Sequence, residues 1–471
     1  MRHMFLKCCF LAVTVLSGLV SCKKGWLDAK PKQSVVTLNS VQDLQALLDN
    51  TGTLNSTNPS LGEAGADNFY QTDVSFQART EKDRNVYTWA STPNFYAGDD
   101  VVEWKTAYQQ VYYANVALEQ LAQIDVQDSN IVAWSNVRGS ALFFRAYAFY
   151  NLAQTFCKPY IPTSANSDLG IILRTSSDIN LPSVRASVQQ TYDQIISDLT
   201  EAKKFLPMFS ATFKTRPSKI AAYAMLARVY LSTQNYNKAL EWADSCLSIY
   251  STLMDYNSDP AINPGASNNL PFALYNPEVI FHSQLNAILL LPHNIGTGFV
   301  DSTFYQSFDN NDKRKSLFFK SLSGRLAFVG TYSAGSNLFN GLATDEIYLI
   351  RSECNARNGN VSAALQDLNF LLKKRWLNTV IYNPITATDA EDALRKVLIE
   401  RRKELCFRGL RWTDLRRLNQ DVRFAITLKH GLLLANGTTG STYTLPPNDN
   451  RYVYPIPDHE ILFSGVPQNP R

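Results

Sequence analysis

The stretch AYAMLARVYLSTQNYNKALEWADSCL, residues 222–247, leaves a chain few ways to fold. On both sides of its STQN break, apolar residues recur at threes and fours, the period of a helix with one buried face. Small residues stand where two such helices would cross: Ala227 in the first, Ala239 and Cys246 in the second, with Leu226, Tyr230 and Tyr236 around them. Small side chains let antiparallel helices approach closely, and the larger ones fill the seam. Residues 347–372, IYLIRSECNARNGNVSAALQDLNFLL, repeat the arrangement, with Ser352 and Ala364 at the same separation and Gly359 in the turn.

Both segments look like tetratricopeptide repeats, the plain alternative being a generic helical hairpin. Such pairs stack into a curved array. An amphipathic stretch lies near Ser40–Leu48. Helical spacing then starts at Glu103 (Trp104, Tyr108, Val111, Asn115, Leu118, Leu121) and continues over Ala133–Phe156, Ser187–Leu206, Ser218–Ser232 and Tyr236–Ile249. It returns over Thr344–Asn358, Ser362–Arg375, Asp389–Phe407 and Trp412–Leu418, with Ser187 placed to cap its helix. Residues 51–102 and 251–342 are rich in Asn, Ser, Pro and Gly and read as loop-rich insertions; short extended pieces follow Asp421. The expected fold is therefore mostly α: tetratricopeptide-like helix pairs in a curved array, with long insertions and a few short strands. Residues 103–250 and 343–419 form the scaffold of one domain spanning 22–471.

The N-terminus, MRHMFLKCCFLAVTVLSGLVSC, reads as a secretory signal over residues 1–21. Its apolar run of roughly thirteen residues reaches about 20 Å as a helix, short of the roughly twenty residues a bilayer needs. Leu19-Val20-Ser21-Cys22 looks like the lipobox of bacterial lipoproteins, which implies lipidation at Cys22; ordinary cleavage leaving a free thiol is the other reading. Acyl chains would hold the protein to a membrane by the anchor alone. The chain carries +4, and losing Arg2 and Lys7 with the signal leaves +2, too little for a dedicated nucleic-acid binder. Cys157, Cys246, Cys354 and Cys406 show no metal-ligand spacing and read as small hydrophobes, a disulfide between two of them staying open.

Residues 400–419, ERRKELCFRGLRWTDLRRLN, hold seven basic residues. Leu394, Leu398 and Leu405 form an apolar stripe that carries Arg401 or Arg402 with it, and a lone buried charge is very costly. Glu400 and Glu404 supply partners, Glu404 and Arg408 being four apart on the helix. Gly409 permits a stop and turn. Trp412, Leu415 and Leu418 begin a second face, with Asp414 three residues from both Arg411 and Arg417. The segment reads as a self-neutralising corner in which arginine forks tie two helices.

This segment resembles the C-terminal signature of the SusD/RagB family, close to E-R-x-x-E-L-x-x-E-G-x-R-x-x-D-L-x-R. It departs from that pattern at Arg408, where an acidic residue is usual. The lipobox with GWLD behind it, ALFFRAYAFYNLAQTF, the helix pair at 217–249 and the terminal YPIPDHEI…PQNP also fit. The family's final aromatic is replaced here by Pro470-Arg471. The resemblance implies a surface lipoprotein of the outer membrane that captures glycans without cleaving them. It also implies a SusC-like, TonB-dependent barrel as partner, over which the protein sits as a lid. A peptide-capturing branch of the family and a protein-binding scaffold are the alternatives.

Sugar recognition needs flat rings and planar polar groups. Residues 65–100 offer Tyr70, Trp89, Phe95 and Tyr96 as platforms and Asp67, Asn68, Arg79 and Asn94 as hydrogen-bonding groups; Tyr305 and Phe308 are weaker candidates. The alternative is that these rings pin loops to helices. Enzyme readings are poor, with no cofactor and no metal expected. The five histidines lack ligand spacing, GTYSAGS (330–336) has Thr331 where a nucleophile elbow has glycine, and Asp99, Asp100 and Glu103 suit a helix start.

Overall fold

The computed structural model describes residues 38–209, 212–293 and 296–471. The signal peptide, Cys22 and the GWLD tether lie outside the described residues. Residues 40–471 form one compact unit.

Its frame is helical: α1 (Val41–Leu48), α2 (Val102–Leu121), α3 (Ile131–Phe156), α4 (Val188–Phe205), α5 (Lys219–Ser232), α6 (Tyr236–Leu247), α7 (Thr344–Arg357), α8 (Val361–Lys373), α9 (Ala390–Glu404), α10 (Arg411–Leu418) and α11 (Asp458–Ser464). Two starts are reciprocal capping boxes. Ser40 pairs with Asp43, and Ser187 with Gln190, each side chain accepting from the other's backbone N–H. Helix α3 packs between α2 and α4, α4 leads onto α5, and the hairpins α5–α6 and α7–α8 meet through α6 and α7.

The crossings are where the small residues sit. Ala227, Ala239, Cys246, Ser352 and Ala364 are fully buried, and Ser352 Oγ donates to the Ala364 carbonyl at 2.7 Å. Gly359 turns the second hairpin at φ +81°. Gly139 on α3 meets the end of α4, where an added Cβ would stand 2.8 Å from Leu206 Cγ and 3.0 Å from its backbone nitrogen. Cys157, Cys246, Cys354 and Cys406 are all buried and free.

Residues 51–102 are not the irregular stretch expected. They hold short helices at Thr51–Leu54, Leu61–Ala64, Asp73–Gln77 and Glu81–Thr88, and strand β1 (Phe69–Thr72). Most are single turns too brief to show a period, and Asn50, Thr72 and Thr80 cap three of them through their side chains. The later strands are β2 (Leu169–Ile172), β3 (Arg185–Ser187), β4 (Val279–Phe281), β5 (Phe299–Val300), β6 (Phe319–Leu322), β7 (Arg325–Phe328), β8 (Leu342–Ala343), β9 (Leu428–Leu433) and β10 (Thr439–Leu445). One sheet runs β10-β9-β1-β5, with β1 parallel to β9 and the other neighbours antiparallel; three two-stranded ribbons complete the set. The 251–342 insertion also carries short helices at Ser302–Gln306 and Lys313–Phe318, and the tail past Asp421 adds α11 to its extended pieces. Helix α9 stops at Glu404, before the expected Phe407, because the chain turns through left-handed Phe407 (φ 58°) and Gly409 (φ 73°).

The basic segment at that turn faces inward. Arg401 donates to Asp414 at 2.9 Å, while Arg417 bridges Asp414 (2.8 Å) and Glu353 on α7 (2.5 and 2.7 Å). Glu400 takes Arg314 at 2.6 Å and Lys403 at 2.9 Å. Arg416 donates to the Gln154 and Cys157 carbonyls at the end of α3, where the helix dipole favours a cation. Two pairings differ from the sequence expectation. Glu404 binds Arg314 (3.0 Å) and Arg375 (2.8 Å), whereas Arg408 crosses to Asp345 on α7 at 2.8 Å. Arg411 reaches Asp67, at 2.7 and 2.9 Å, in place of Asp414. The turn takes Arg408 out of the α9 register, while Asp414 is already held by Arg401 and Arg417, which leaves Arg411 to Asp67.

Three outcomes follow. Gly139→Val overpacks α3 on α4 and lowers stability by about 1–3 kcal/mol, read from urea unfolding. Arg375→Met leaves Glu278 and Glu404, both fully buried, short of a shared cation, and costs about 3–5 kcal/mol by the same measurement. Glu63 accepts from the Gly409 N–H at 2.8 Å, yet burial pushes its pKa up to about 7. A carboxyl raised in the folded state stabilises the fold while protonated, an effect complete below the ordinary Glu range and lost as pH rises through about 7. The urea midpoint of Glu63→Gln should therefore gain on the parent's between pH 5 and pH 8; a constant difference would refute this.

Candidate functional site

Asp67 and Asn68 lead into strand β1 against Arg402 of α9, and β1 itself sets Tyr70 opposite Phe299 of β5. Asp67 receives Arg411 in a two-point contact and Arg402 at 3.2 Å. Burial pushes its carboxyl up, but the two guanidinium groups outweigh that and hold it well below the usual range. Arg402 Nε also donates to Asn68 Oδ1 at 3.0 Å, and its guanidinium lies 5.0 Å over the Phe304 ring. Asn68 is fully buried, and its Nδ2 has no hydrogen-bond partner among the described residues.

Beside this group, Tyr70 stacks on Phe299 across the β1–β5 pair, with centroids 5.3 Å apart and planes 24° off parallel. Both rings are half-buried. Just past Phe299, Asp301 caps the following short helix by accepting from the Phe304 N–H at 2.8 Å. The result is a partly open pair of stacked rings across the β1–β5 pair. Phe299 went unnoticed in the sequence because a two-residue strand has no periodicity to read.

The other rings are structural. Trp89 is 1% exposed and donates from Nε1 to the Gly65 carbonyl at 3.0 Å. His430 of β9 sits between Trp89 (4.2 Å) and Tyr87 (4.3 Å), with its two nitrogens at the Tyr87 and Ala66 carbonyls. This sandwich pins the segment to the sheet. Tyr96 donates to the Pro455 carbonyl at 2.6 Å, and Arg471 lies 4.2 Å over Phe95, so the chain's last residue covers that ring. Trp89, Phe95, Tyr96 and, in the second insertion, Phe308 are thus buried and offer no face to a sugar. Arg79 is half-buried, Asn94 exposed, and Tyr305 half-buried beneath Lys315 Nζ at 5.1 Å.

The residues weighed for bond cleavage have partners within the fold. Ser333 of GTYSAGS is buried and donates to the Asn337 carbonyl. Asp100 pairs with Lys105 at 3.0 Å, and Glu103 is buried beside Ser60. Glu278, Asp345 and Glu404 place carboxylate oxygens within 4.8 Å of one another. Arg375 joins Glu278 to Glu404, Arg314 joins Glu404, and Arg408 joins Asp345, so each of these carboxylates holds at least one guanidinium.

Comparison with known proteins agrees at both ends of the chain. Residues 25–231 match a SusD-like family model described as "Starch-binding associating with outer membrane", and residues 344–470 match that of the SusD family. A SusD-like protein P2 from Formosa agariphila is 25% identical over 448 residues, spanning 80% of this chain and 82% of that protein. The fold is similar to that of a putative sugar binding protein from Bacteroides vulgatus, with a TM-score of 0.72, 22% identity, and coverage of 92% of this chain and 98% of that one. It is also similar to a SusD superfamily protein from Bacteroides thetaiotaomicron, with a TM-score of 0.70, 21% identity, and coverage of 92% and 100%. No helix among the described residues is long and apolar enough to cross a membrane. With matching models on both halves of the helical frame, this chain belongs to the SusD/RagB family.

Proposed function

We propose that this protein is a lipid-anchored, outward-facing subunit of the outer membrane that captures oligosaccharides and passes them to a SusC-like, TonB-dependent transporter. It holds its ligand without cleaving it. Support comes from relatives described as sugar-binding or carbohydrate-binding and from the outer-membrane association named for the matching family. The observation that carries the reading to residues is the partly open Tyr70–Phe299 stack. Partly open rings suit the C–H faces of a pyranose. Lipidation at Cys22 would keep this face at the membrane surface, where several acyl chains anchor firmly.

The test is calorimetric titration of the purified protein with oligosaccharides such as maltotriose, cellotriose and xylotriose. Alanine at Tyr70 or Phe299 should weaken binding of the recognised sugar roughly two- to tenfold. Trp89→Ala should instead lower the unfolding midpoint, because that ring is locked against His430. Sugar binding indifferent to both Tyr70 and Phe299 would move the site elsewhere.

A further inference from the structure

A narrow cavity lies within the frame, where the short helix Leu61–Ala64, α3, α5 and the turn into α10 converge. Its volume is about 30 Å³. A buried water needs roughly 10–15 Å³ of such space, which leaves room for about two. Glu63, Tyr150, Arg228, Asn340, Arg408 and Trp412 are among the residues that line it, and all are buried.

Two of these side chains are satisfied by the protein. Tyr150 Oη pairs with Ser232 Oγ at 2.8 Å, and Arg228 forks onto Glu346 at 2.6 and 2.8 Å while reaching the Asn340 and Gly341 carbonyls. The other four are each left one atom short. Glu63 accepts from the Gly409 N–H with Oε2 and keeps Oε1, while Arg408 gives Nη1 to Asp345 and keeps Nη2. Asn340 Oδ1 and Trp412 Nε1 complete the set, and none of the four atoms has a hydrogen-bond partner among the described residues. Their residues are between 1% and 5% exposed, so bulk solvent does not serve them.

The segments that bring these groups together are closely packed. A Cβ at Gly62 would stand 3.0 Å from Trp412 Cδ1, the ring atom bonded to Nε1, and one at Gly409 would stand 3.6 Å from Asn340 Cβ. A polar atom taken out of water without a partner is costly. Here two such atoms donate, Trp412 Nε1 and Arg408 Nη2, and two accept, Glu63 Oε1 and Asn340 Oδ1.

We infer that this cavity is an internal hydration site whose ordered waters accept from Trp412 Nε1 and Arg408 Nη2 and donate to Glu63 Oε1 and Asn340 Oδ1. Water suits a balanced set of donors and acceptors, whereas a cation would meet the Arg408 guanidinium and an anion the Glu63 carboxyl. A buried water typically makes about three hydrogen bonds, and a bridge of this kind is nearly as good as a direct bond. The short helix that leads toward β1 is thereby joined to α10 and to Asn340 through water as well as through guanidinium contacts. The inference does not rest on the glycan reading.

Crystallography of the protein tests this: water density is expected within about 3.2 Å of at least three of the four atoms. In solution, oxygen-17 relaxation dispersion counts long-lived internal waters. Asn340→Leu keeps the branched shape but removes the acceptor, and should lower that count by about one or two, while Tyr70→Ala leaves it unchanged. Where the Asn340 variant does not fold, the crystal structure of the parent decides alone. Side chains that pair directly across the cavity, an ion or no density at that place, or an equal water count in Asn340→Leu and the parent would each overturn the inference.

Discussion

A guanidinium taken out of water is tolerable only where carboxylates or carbonyls accept its donors. In this frame the acceptors come from neighbouring helices. Arg145 on α3 forks onto Asp198 of α4 at 2.7 and 2.8 Å and reaches Asn115 of α2 with its remaining arm. Arg228 joins α5 to Glu346 of α7, Arg351 joins α7 to Asp367 of α8, and Arg417 joins α10 to Glu353 of α7. Two parallel hydrogen bonds fix direction as well as distance, so each fork sets how one helix crosses the next. Removing either partner of such a pair is far more damaging than the pair is stabilising, since it leaves a charge stranded in a low dielectric.

The same device carries the insertions. Arg314 and Arg375 lie outside the basic segment in sequence, yet both end on Glu404, and Arg375 continues to Glu278 in the second insertion. Arg402 and Arg411 pull Asp67 and Asn68 against α9 and α10, and so hold strand β1 where Tyr70 meets Phe299. A ligand face made of short strands and single-turn helices would have little rigidity of its own. Here it borrows the rigidity of the helix pairs through guanidinium contacts. Trp89, His430 and Tyr87 serve the same end with stacked rings, which is why the most conspicuous aromatic of the segment faces inward.

The amino-acid sequence determined the helices, their caps and their crossings, because periodicity, a Ser187 cap and paired small residues are properties of neighbours along the chain. It also showed that the arginines of residues 400–419 needed partners indoors, since a leucine stripe carries them inward. Only the tertiary structure decided who pairs with whom: Arg408 with Asp345 and Arg411 with Asp67 join residues hundreds of positions apart or on another helix, and no local spacing encodes them. It likewise decided which aromatic rings stay open. A ring's exposure depends on what packs over it from elsewhere in the chain, so Trp89 and Tyr70, alike as candidates in the sequence, take opposite places in the fold.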